Sequence, residues 1–222
     1  MAQNVPSCVA VQVLNPQPGE TILDCCAAPG GKTLHIASLM HGTGRVIAIE
    51  KSAKRAAALS SIVNKLYSNI EVFCADASKL SERKELSIPY VYDRILIDAP
   101  CSGSGNRPRL SFKSFSPNQL KSCQRIQKSI VKSVVPLLKP GGRLLYSTCS
   151  VFASENEDLV SWMLKEFPEL YLVEQAPYLG RSGFVREGVT EECAGLLQRF
   201  DVVPSVSSVD SIGFFIALFE KK

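Results

Sequence analysis

Two cysteines stand in surroundings suited to covalent chemistry. Cys101 follows Asp98-Ala99-Pro100 and precedes Ser102-Gly103-Ser104-Gly105, and Cys149 lies within Ser147-Thr148-Cys149-Ser150. Each comes just after a short apolar run that reads as a strand. Both thiols would then sit at strand ends, with Asp98 beside Cys101. Pro100 fixes the turn and the glycines free the loop beyond it. The thiolate, not the thiol, is the nucleophile. Two thiols converging with Asp98 and Lys32 suit addition of sulfur to an electrophilic carbon. The same spacing fits two buried structural cysteines, and spacing does not say which thiol would attack. The remaining cysteines are Cys8, Cys25, Cys26, Cys74, Cys123 and Cys193, and no two of the chain's cysteines form a C-x-x-C pair. A zinc site lacks its ligand spacing, so no metal is expected. Cys26, Cys74 and Cys123 read as small apolar fillers.

The segment Asp24-Cys25-Cys26-Ala27-Ala28-Pro29-Gly30-Gly31-Lys32-Thr33 joins a strand to a helix. Its small residues let a ligand approach the backbone, and the helix start offers free N–H groups. Gly-Lys-Thr resembles the end of a triphosphate loop, but the first glycine of that motif would fall where Cys26 stands. The G-x-G-x-x-G dinucleotide fingerprint is absent too. The loop from Cys26 to Lys32 is therefore expected to hold a small ligand with a carboxylate and an amine. Glu50 ends the next strand, where a carboxylate can accept both hydroxyls of a ribose. Asp76 ends the third, where it can accept from the exocyclic amine of adenine. Each of these carboxylates alone fits a helix cap or a surface charge equally well. Together with the first loop they describe an adenosine site at three successive strand ends.

The elements that must position these residues follow from periodicity. Strands are expected at Thr21–Cys25, Val46–Ile49, Glu71–Cys74, Arg94–Ile97, Arg143–Ser147 and Ile212–Phe219. They are short and rich in branched residues, as suits strands buried on both faces. Helices are expected at Lys32–Met40, Ser52–Tyr67, Pro117–Leu138 and Ser154–Phe167. Ser52 and Ser116 suit N-caps, Pro117 the first helical position, and Ser154 with Glu157 a capping box. Pro140-Gly141-Gly142 reads as a helix end turning into a strand. The region from Pro177 to Ser211 reads as a long functional loop with a short helix near Glu191–Arg199. Alternating strands and helices specify an α/β fold, with a mostly parallel central sheet covered by helices on both faces. Ligands of such sheets bind beyond the carboxyl ends of the strands. The residues singled out above fall there.

The chain has 222 residues, 45% of them hydrophobic and 21% charged, which excludes disordered, collagenous and coiled-coil classes. The longest apolar stretch is far short of a membrane helix, and the first residues lack the pattern of an export signal. Reduced thiols, a cytoplasmic setting (a nuclear one being the alternative) and no membrane partner are expected. The net charge of +4 is strongly segregated. Residues 1–98 sum to +1, residues 99–154 to +9 with no acidic residue, and residues 155–222 to −6. The basic stretch holds Arg107, Arg109, Lys113, Lys121, Arg125, Lys128, Lys132, Lys139 and Arg143, with Phe112 and Phe115 between. It suits a polyanion such as RNA, with aromatics able to stack on unpaired bases. Lys121, Arg125, Lys128 and Lys132 recur at helical spacing and form one face, which could equally be solvated. Phe112 and Phe115 could equally be packing residues.

These motifs resemble those of the NOP/Sun, RsmB-like family of RNA cytosine-5 methyltransferases. Cys26–Lys32 reads CAAPGGK, Asp98–Gly103 reads DAPCSG, and Thr148-Cys149-Ser150 reads TCS, in that family's order. The likeness runs from Gln3-Asn4-Val5-Pro6-Ser7 to Gly213-Phe214-Phe215-Ile216-Ala217. Asn15 to Glu20, Leu197 to Asp201 and Asp210 to Phe215 look most like the sixth eukaryotic NSUN subfamily. The resemblance implies a Rossmann-like methyltransferase fold using S-adenosyl-L-methionine. It implies methylation of cytosine carbon 5 in tRNA near the acceptor end, with messenger RNA as a further substrate; the chain itself is expected to be a monomer. Cys26, Ala27, Ala28, Pro29, Gly30, Gly31 and Lys32 would hold the methionine part of the cofactor. Glu50, where many relatives have Asp, would bind ribose, Asp76 would contact adenine, and Asp98 would lie between cofactor and base. Cys149 would be the nucleophile and Cys101 would assist product release. Arg107, Arg109, Lys121, Arg125, Lys128 and Lys132 are the candidate RNA contacts. Relatives carry an N-terminal RNA-binding region, and the sixth subfamily a PUA-type domain. Residues 1–222 read as a single catalytic domain lacking both. The alternatives are a truncated chain that binds RNA and cofactor without catalysis, and a methyltransferase of DNA or protein.

Overall fold

The apolar, branched runs pair into one sheet whose strand ends line up along a single edge. The computed structural model describes residues 3–82, 87–106, 115–202 and 211–222. The strands are β1 (Thr21–Asp24), β2 (Arg45–Glu50), β3 (Ile70–Cys74), β4 (Tyr92–Asp98), β5 (Leu138–Thr148), β6 (Leu170–Leu172), β7 (Leu197–Phe200) and β8 (Phe214–Lys221). Their order is β3-β2-β1-β4-β5-β8-β6, and β7 also pairs with β8. The first five are parallel, whereas β8 runs antiparallel to β5, β6 and β7. The order reverses between β1 and β4, the switch point at which such sheets bind ligands.

The helices are α1 (Val5–Leu14), α2 (Gly31–Leu39), α3 (Ala53–Val63), α4 (Pro117–Val134), α5 (Glu157–Glu166) and α6 (Glu191–Gly195). Alternation along the strands divides the core between them. Ile22, Val46, Leu96 and Leu145 pack with Leu14 of α1, Ile36 of α2 and Leu59 of α3. Leu23, Ile47, Ile95 and Leu144 pack with Ile130 and Val134 of α4 and Met163 of α5. Burying such a side chain is worth roughly 2 kcal/mol, so a strand apolar at every position is held from both sides. Ser52 caps α3 through the Arg55 N–H, and Ser116 and Gln119 form a reciprocal capping box on α4.

Several expectations are corrected by tertiary contacts. Ser154 and Glu157 form no capping box. Asn156 precedes α5 without a side-chain cap, and Glu157 is bound to Arg199 instead. α4 ends at Val134 rather than Leu138, and Val135–Leu137 is a 3-10 turn. Pro140-Gly141-Gly142 does not end a helix; it lies inside β5, where the register with β4 shifts. Proline lacks the ladder N–H and Gly141 has φ +71°, so both suit a break in pairing. The expected helix near Glu191–Arg199 stops at Gly195, and Leu197–Phe200 is β7. Its four residues are all buried, including Gln198 and Arg199, so polarity hid a strand whose polar groups are satisfied internally. β6 and α1 are further elements that the apolar pattern did not mark out. Cys74 is exposed rather than a core filler.

Candidate active site

β1 opens into a turn that only glycine can complete. Gly30 has φ +103°, and a Cβ there would collide with Leu59 Cδ1. The turn is tied to β2 by the Ala27 N–H on the Ile49 carbonyl, 2.9 Å, and α2 starts at Gly31. From the other side the Arg55 guanidinium reaches the Ala28 carbonyl and Glu50. Two hollows flank the turn and share Cys26. The larger, about 590 Å³, is lined by Cys26, Glu50, Asp76, Pro100 and Ile130 among others. The smaller, about 190 Å³, is lined by Asp24, Ala27, Ala28, Pro29, Gly31, Lys32 and Asp98, with Ser7 of α1. The larger falls within the range of small-ligand sites. Gly30 lines neither hollow and serves the turn itself.

The carboxyl groups are anchored by their surroundings. Glu50 is buried; its Oε1 accepts from the Ser52 N–H at 2.8 Å and its Oε2 faces Arg55. Each oxygen keeps acceptor capacity toward the hollow. Asp76 Oδ1 accepts from the Ser78 N–H and hydroxyl, and Oδ2 pairs with Lys51 at 2.8 Å. Burial opposes its ionisation, but the bonds from Lys51 and Ser78 outweigh that and hold its pKa at about 2. Asp24 is pushed up to about 6 by burial, against the pull of its bond from Thr33. Its Oδ1 has no hydrogen-bond partner among the described residues.

Asp98 ends β4 between the two motifs. It accepts from Lys32 Nζ at 2.8 Å and from the Ser147 hydroxyl at 2.9 Å. Lys32 also donates to Ser7 at 3.1 Å and lies over the Phe214 ring. Lys32 and Asp98 are thus brought together, and both act electrostatically on the Cys149 thiol. The Cys101 and Cys149 sulfurs are 3.4 Å apart, and Asn106 Nδ2 donates to Cys149 Sγ at 3.3 Å. The pair is unequal. The hydrogen bond shared with Cys101 lowers the Cys149 thiol below its ordinary value against burial, helped by Asn106 and Lys32. Cys101 is held up by that same bond, by burial and by nearby negative charge. Burial also pushes Cys25 and Cys26 up, so neither suits a nucleophile.

Asp24, Arg55, Asn106, Glu155 and Gln127 join the site without having been singled out. Asp24 had a signal in its place before the small-residue loop; the others meet the site only through folding. The basic face of α4 is divided. Lys128 sits over Trp162, and Lys132 lies against the same ring and pairs with Glu166 at 2.7 Å. Arg125 lines the larger hollow, and its Nε donates to the Lys121 carbonyl. Lys139 and Arg143 pair with Asp93 and Glu220. Phe115 packs edge-on against Phe152. Arg107, Arg109, Phe112 and Lys113 lie outside the described residues. No described helix is long and apolar enough to cross a membrane.

Comparison with known proteins adds the family context. Residues 11–220 match the family described as 16S rRNA methyltransferase RsmB/F. The human tRNA (cytosine(72)-C(5))-methyltransferase NSUN6 is 42% identical, over 99% of this chain and 53% of its own length. The Pyrococcus horikoshii tRNA (cytosine(72)-C(5))-methyltransferase is 34% identical, over 99% of this chain and 51% of its own. The crystal structure of NSun6 from Pyrococcus horikoshii with SFG, an S-adenosylmethionine analogue, superposes with a TM-score of 0.85 at 34% identity. That match covers 99% of this chain and 52% of the other. The chain spans about half the length of these relatives.

Proposed function

The chain belongs to the RsmB/F family of S-adenosylmethionine-dependent RNA methyltransferases, and from that premise we propose that it methylates carbon 5 of cytosine in RNA through a covalent adduct with Cys149. Transfer RNA is the first substrate to test, near its acceptor end, since the names of its relatives specify tRNA cytosine 72, with messenger RNA second. The reading is carried by one observation: two cysteine sulfurs 3.4 Å apart at neighbouring strand ends beside a ligand hollow, with Asn106 donating to Cys149.

The residues fit the cofactor. Asp24, whose Oδ1 has no hydrogen-bond partner among the described residues, is among the residues lining the small hollow, where an ammonium would satisfy it, and Gly30 keeps the turn open. Glu50 would take the ribose hydroxyls and Asp76 the adenine amine. Cys26 to Lys32 would cradle the methionine end. When bound, S-adenosylmethionine supplies a methyl group on a sulfonium, which carbon 5 takes.

The protein's own part begins with the thiolate. Cytosine carbon 5 is too electron-poor to react unaided. Cys149 sulfur adds to carbon 6, and the electrons of the carbon 5–carbon 6 double bond shift onto carbon 5 and the ring. Lys32 and Asp98 stand where they can bear on charge at the base. After alkylation, carbon 5 must lose its proton. Cys149 is by then a thioether, so the bond that held Cys101 protonated is gone. Cys101 gives its proton to solvent, takes the carbon 5 proton, and the sulfur–carbon 6 bond breaks as the double bond returns. The base must first leave any stack or duplex to reach the thiols. We assign Lys121 and Arg125, with Arg107 and Arg109, to the RNA backbone. Lys128 and Lys132 are drawn onto α5 and contribute less.

Incubation with labelled S-adenosylmethionine and total tRNA, followed by mapping of methylated bases, tests the reading. Label in 5-methylcytosine is expected. Cofactor binding without transfer to any RNA overturns it in favour of a non-catalytic binding chain, and preferential transfer to DNA favours the other alternative.

A further inference from the structure

Glu155 takes no part in the reaction above, yet it is fully buried and touches both turns that carry the thiols. Its Oε1 accepts from the Ser102 backbone N–H at 2.9 Å and from Gln127 Nε2 at 3.2 Å. Its Oε2 accepts from the Ser102 hydroxyl at 2.6 Å and the Ser150 hydroxyl at 2.5 Å. Ser102 directly follows Cys101, and Ser150 directly follows Cys149. One carboxyl group therefore fastens the residue after each thiol. Gln127 extends the hold, donating also to the carbonyl of Pro100 at 3.0 Å. The clamp is itself anchored: the Tyr146 hydroxyl donates to the Glu155 carbonyl at 2.7 Å. Buried donors left without this acceptor would be costly, so the group is more than filler.

We propose that Glu155 is a positioning residue that sets the Cys101–Cys149 separation by holding Ser102 and Ser150 on one carboxyl group. The proposal rests on the reading that the two thiols act in turn on one base. The two cysteines are 48 residues apart in the chain. The Gly105 N–H on the Cys149 carbonyl also joins the turns, but it fixes the Cys149 and Asn106 side. On the Cys101 side the Ala99 N–H on the Ser147 carbonyl joins the strands two residues before each thiol, and the Ser102 and Ser150 hydroxyls lie 3.2 Å apart; Glu155 is the group that holds both of those hydroxyls at once. Glutamine can keep this geometry, because its oxygen accepts from the Ser102 N–H and Gln127 while its amide donates to two hydroxyls. Alanine cannot.

The test is cross-linking of the full chain with dibromobimane, a short bifunctional thiol alkylator, with the Cys101–Cys149 product quantified by peptide mapping. It needs neither RNA nor cofactor. Glu155→Ala should slow that cross-link about tenfold, and Glu155→Gln should stay within about threefold of the unaltered chain. In methyl transfer, Glu155→Ala should lower kcat about 100-fold with KM for RNA and cofactor little changed, and Glu155→Gln should restore it. An unaltered cross-linking rate in Glu155→Ala, or Glu155→Gln as slow as alanine, overturns the proposal. If Glu155→Ala fails to bind cofactor and so has not folded, the Ser102→Ala/Ser150→Ala double variant decides. It keeps the bonds of Gln127 and the Ser102 N–H to Glu155 while taking both hydroxyls off the carboxyl group; slower cross-linking supports the clamp and an unchanged rate overturns it. Absence of methyl transfer by the unaltered chain defeats the proposed function and leaves the cross-linking result to judge Glu155.

Discussion

The cofactor end and the thiol end of this sheet edge are held by contacts of different reach. At the cofactor end, Glu50 is bound by the Ser52 N–H and Asp76 by Ser78, each two residues further on. At the thiol end the contacts span 43 residues for Asn106 to Cys149, 48 for Cys101 to Cys149 and 53 for Ser102 to Glu155. Short-range contacts form with their own strand and turn. Long-range ones exist only once β4 and β5 have paired, after the loop entropy between them has been lost. Glu50 and Asp76 are thus set in part by their own turns, although Lys32 of the same end reaches Asp98 66 residues away, whereas every one of these thiol-end contacts waits on distant parts of the chain.

Separating the two ends chemically should have the largest effect. Cys149→Ala should lower methyl transfer at least about 10⁴-fold, while calorimetry finds cofactor affinity nearly unchanged. Cys101→Ala should instead accumulate a covalent RNA adduct that survives denaturation. An adduct trapped by Cys149→Ala would mean that the roles are exchanged.

A stability measurement sharpens the contrast at the next level. Arg199 and Glu157 form a two-pronged buried pair at 2.6 Å, with Arg199 also bound to the Val151 carbonyl beyond the Cys149 turn. Glu157→Ala leaves a buried cation unpaired and should cost about 3–5 kcal/mol in denaturant unfolding. Ser116→Ala removes only a local cap and should cost about 1 kcal/mol. Equal losses would remove the distinction between local and long-range support.

The smallest effect concerns the cofactor end alone. Asp24 titrates at about 6 in the free chain because burial disfavours its charge. A cationic amine beside it favours the ionised form, so the complex binds fewer protons than the free chain. Cofactor affinity should then rise about tenfold between about pH 5 and pH 7. Asp24→Asn should flatten that rise, and a flat profile in the unaltered chain would place the amine elsewhere.

Legibility followed the same division. The parallel strands β1 to β5 were readable because each is a short apolar run followed by a turn signal. β7 was not, because Gln198 and Arg199 look exposed until Gln175 and Glu157 reach them. Glu157 was misread as a cap for a related reason, since the residue it serves lies 42 positions away. The motif Cys26 to Lys32 pointed to a cradle through residue size alone. Asn106 and Glu155 carried no comparable mark, being ordinary polar residues until two turns meet.

The amino-acid sequence by itself determined the alternation of elements, the strand ends at which chemistry would gather, and the segregation of charge along the chain. Those are properties of neighbours, set by backbone preference and side-chain size over a few residues. Tertiary structure alone decided which thiol is lowered, because that depends on which donor, cation and carboxyl group come within a few ångströms of each sulfur. It also decided how much of the basic stretch faces outward. Acidic residues remote in the chain fold back onto Lys132, Lys139 and Arg143, and Coulomb attraction depends on distance in space rather than along the chain.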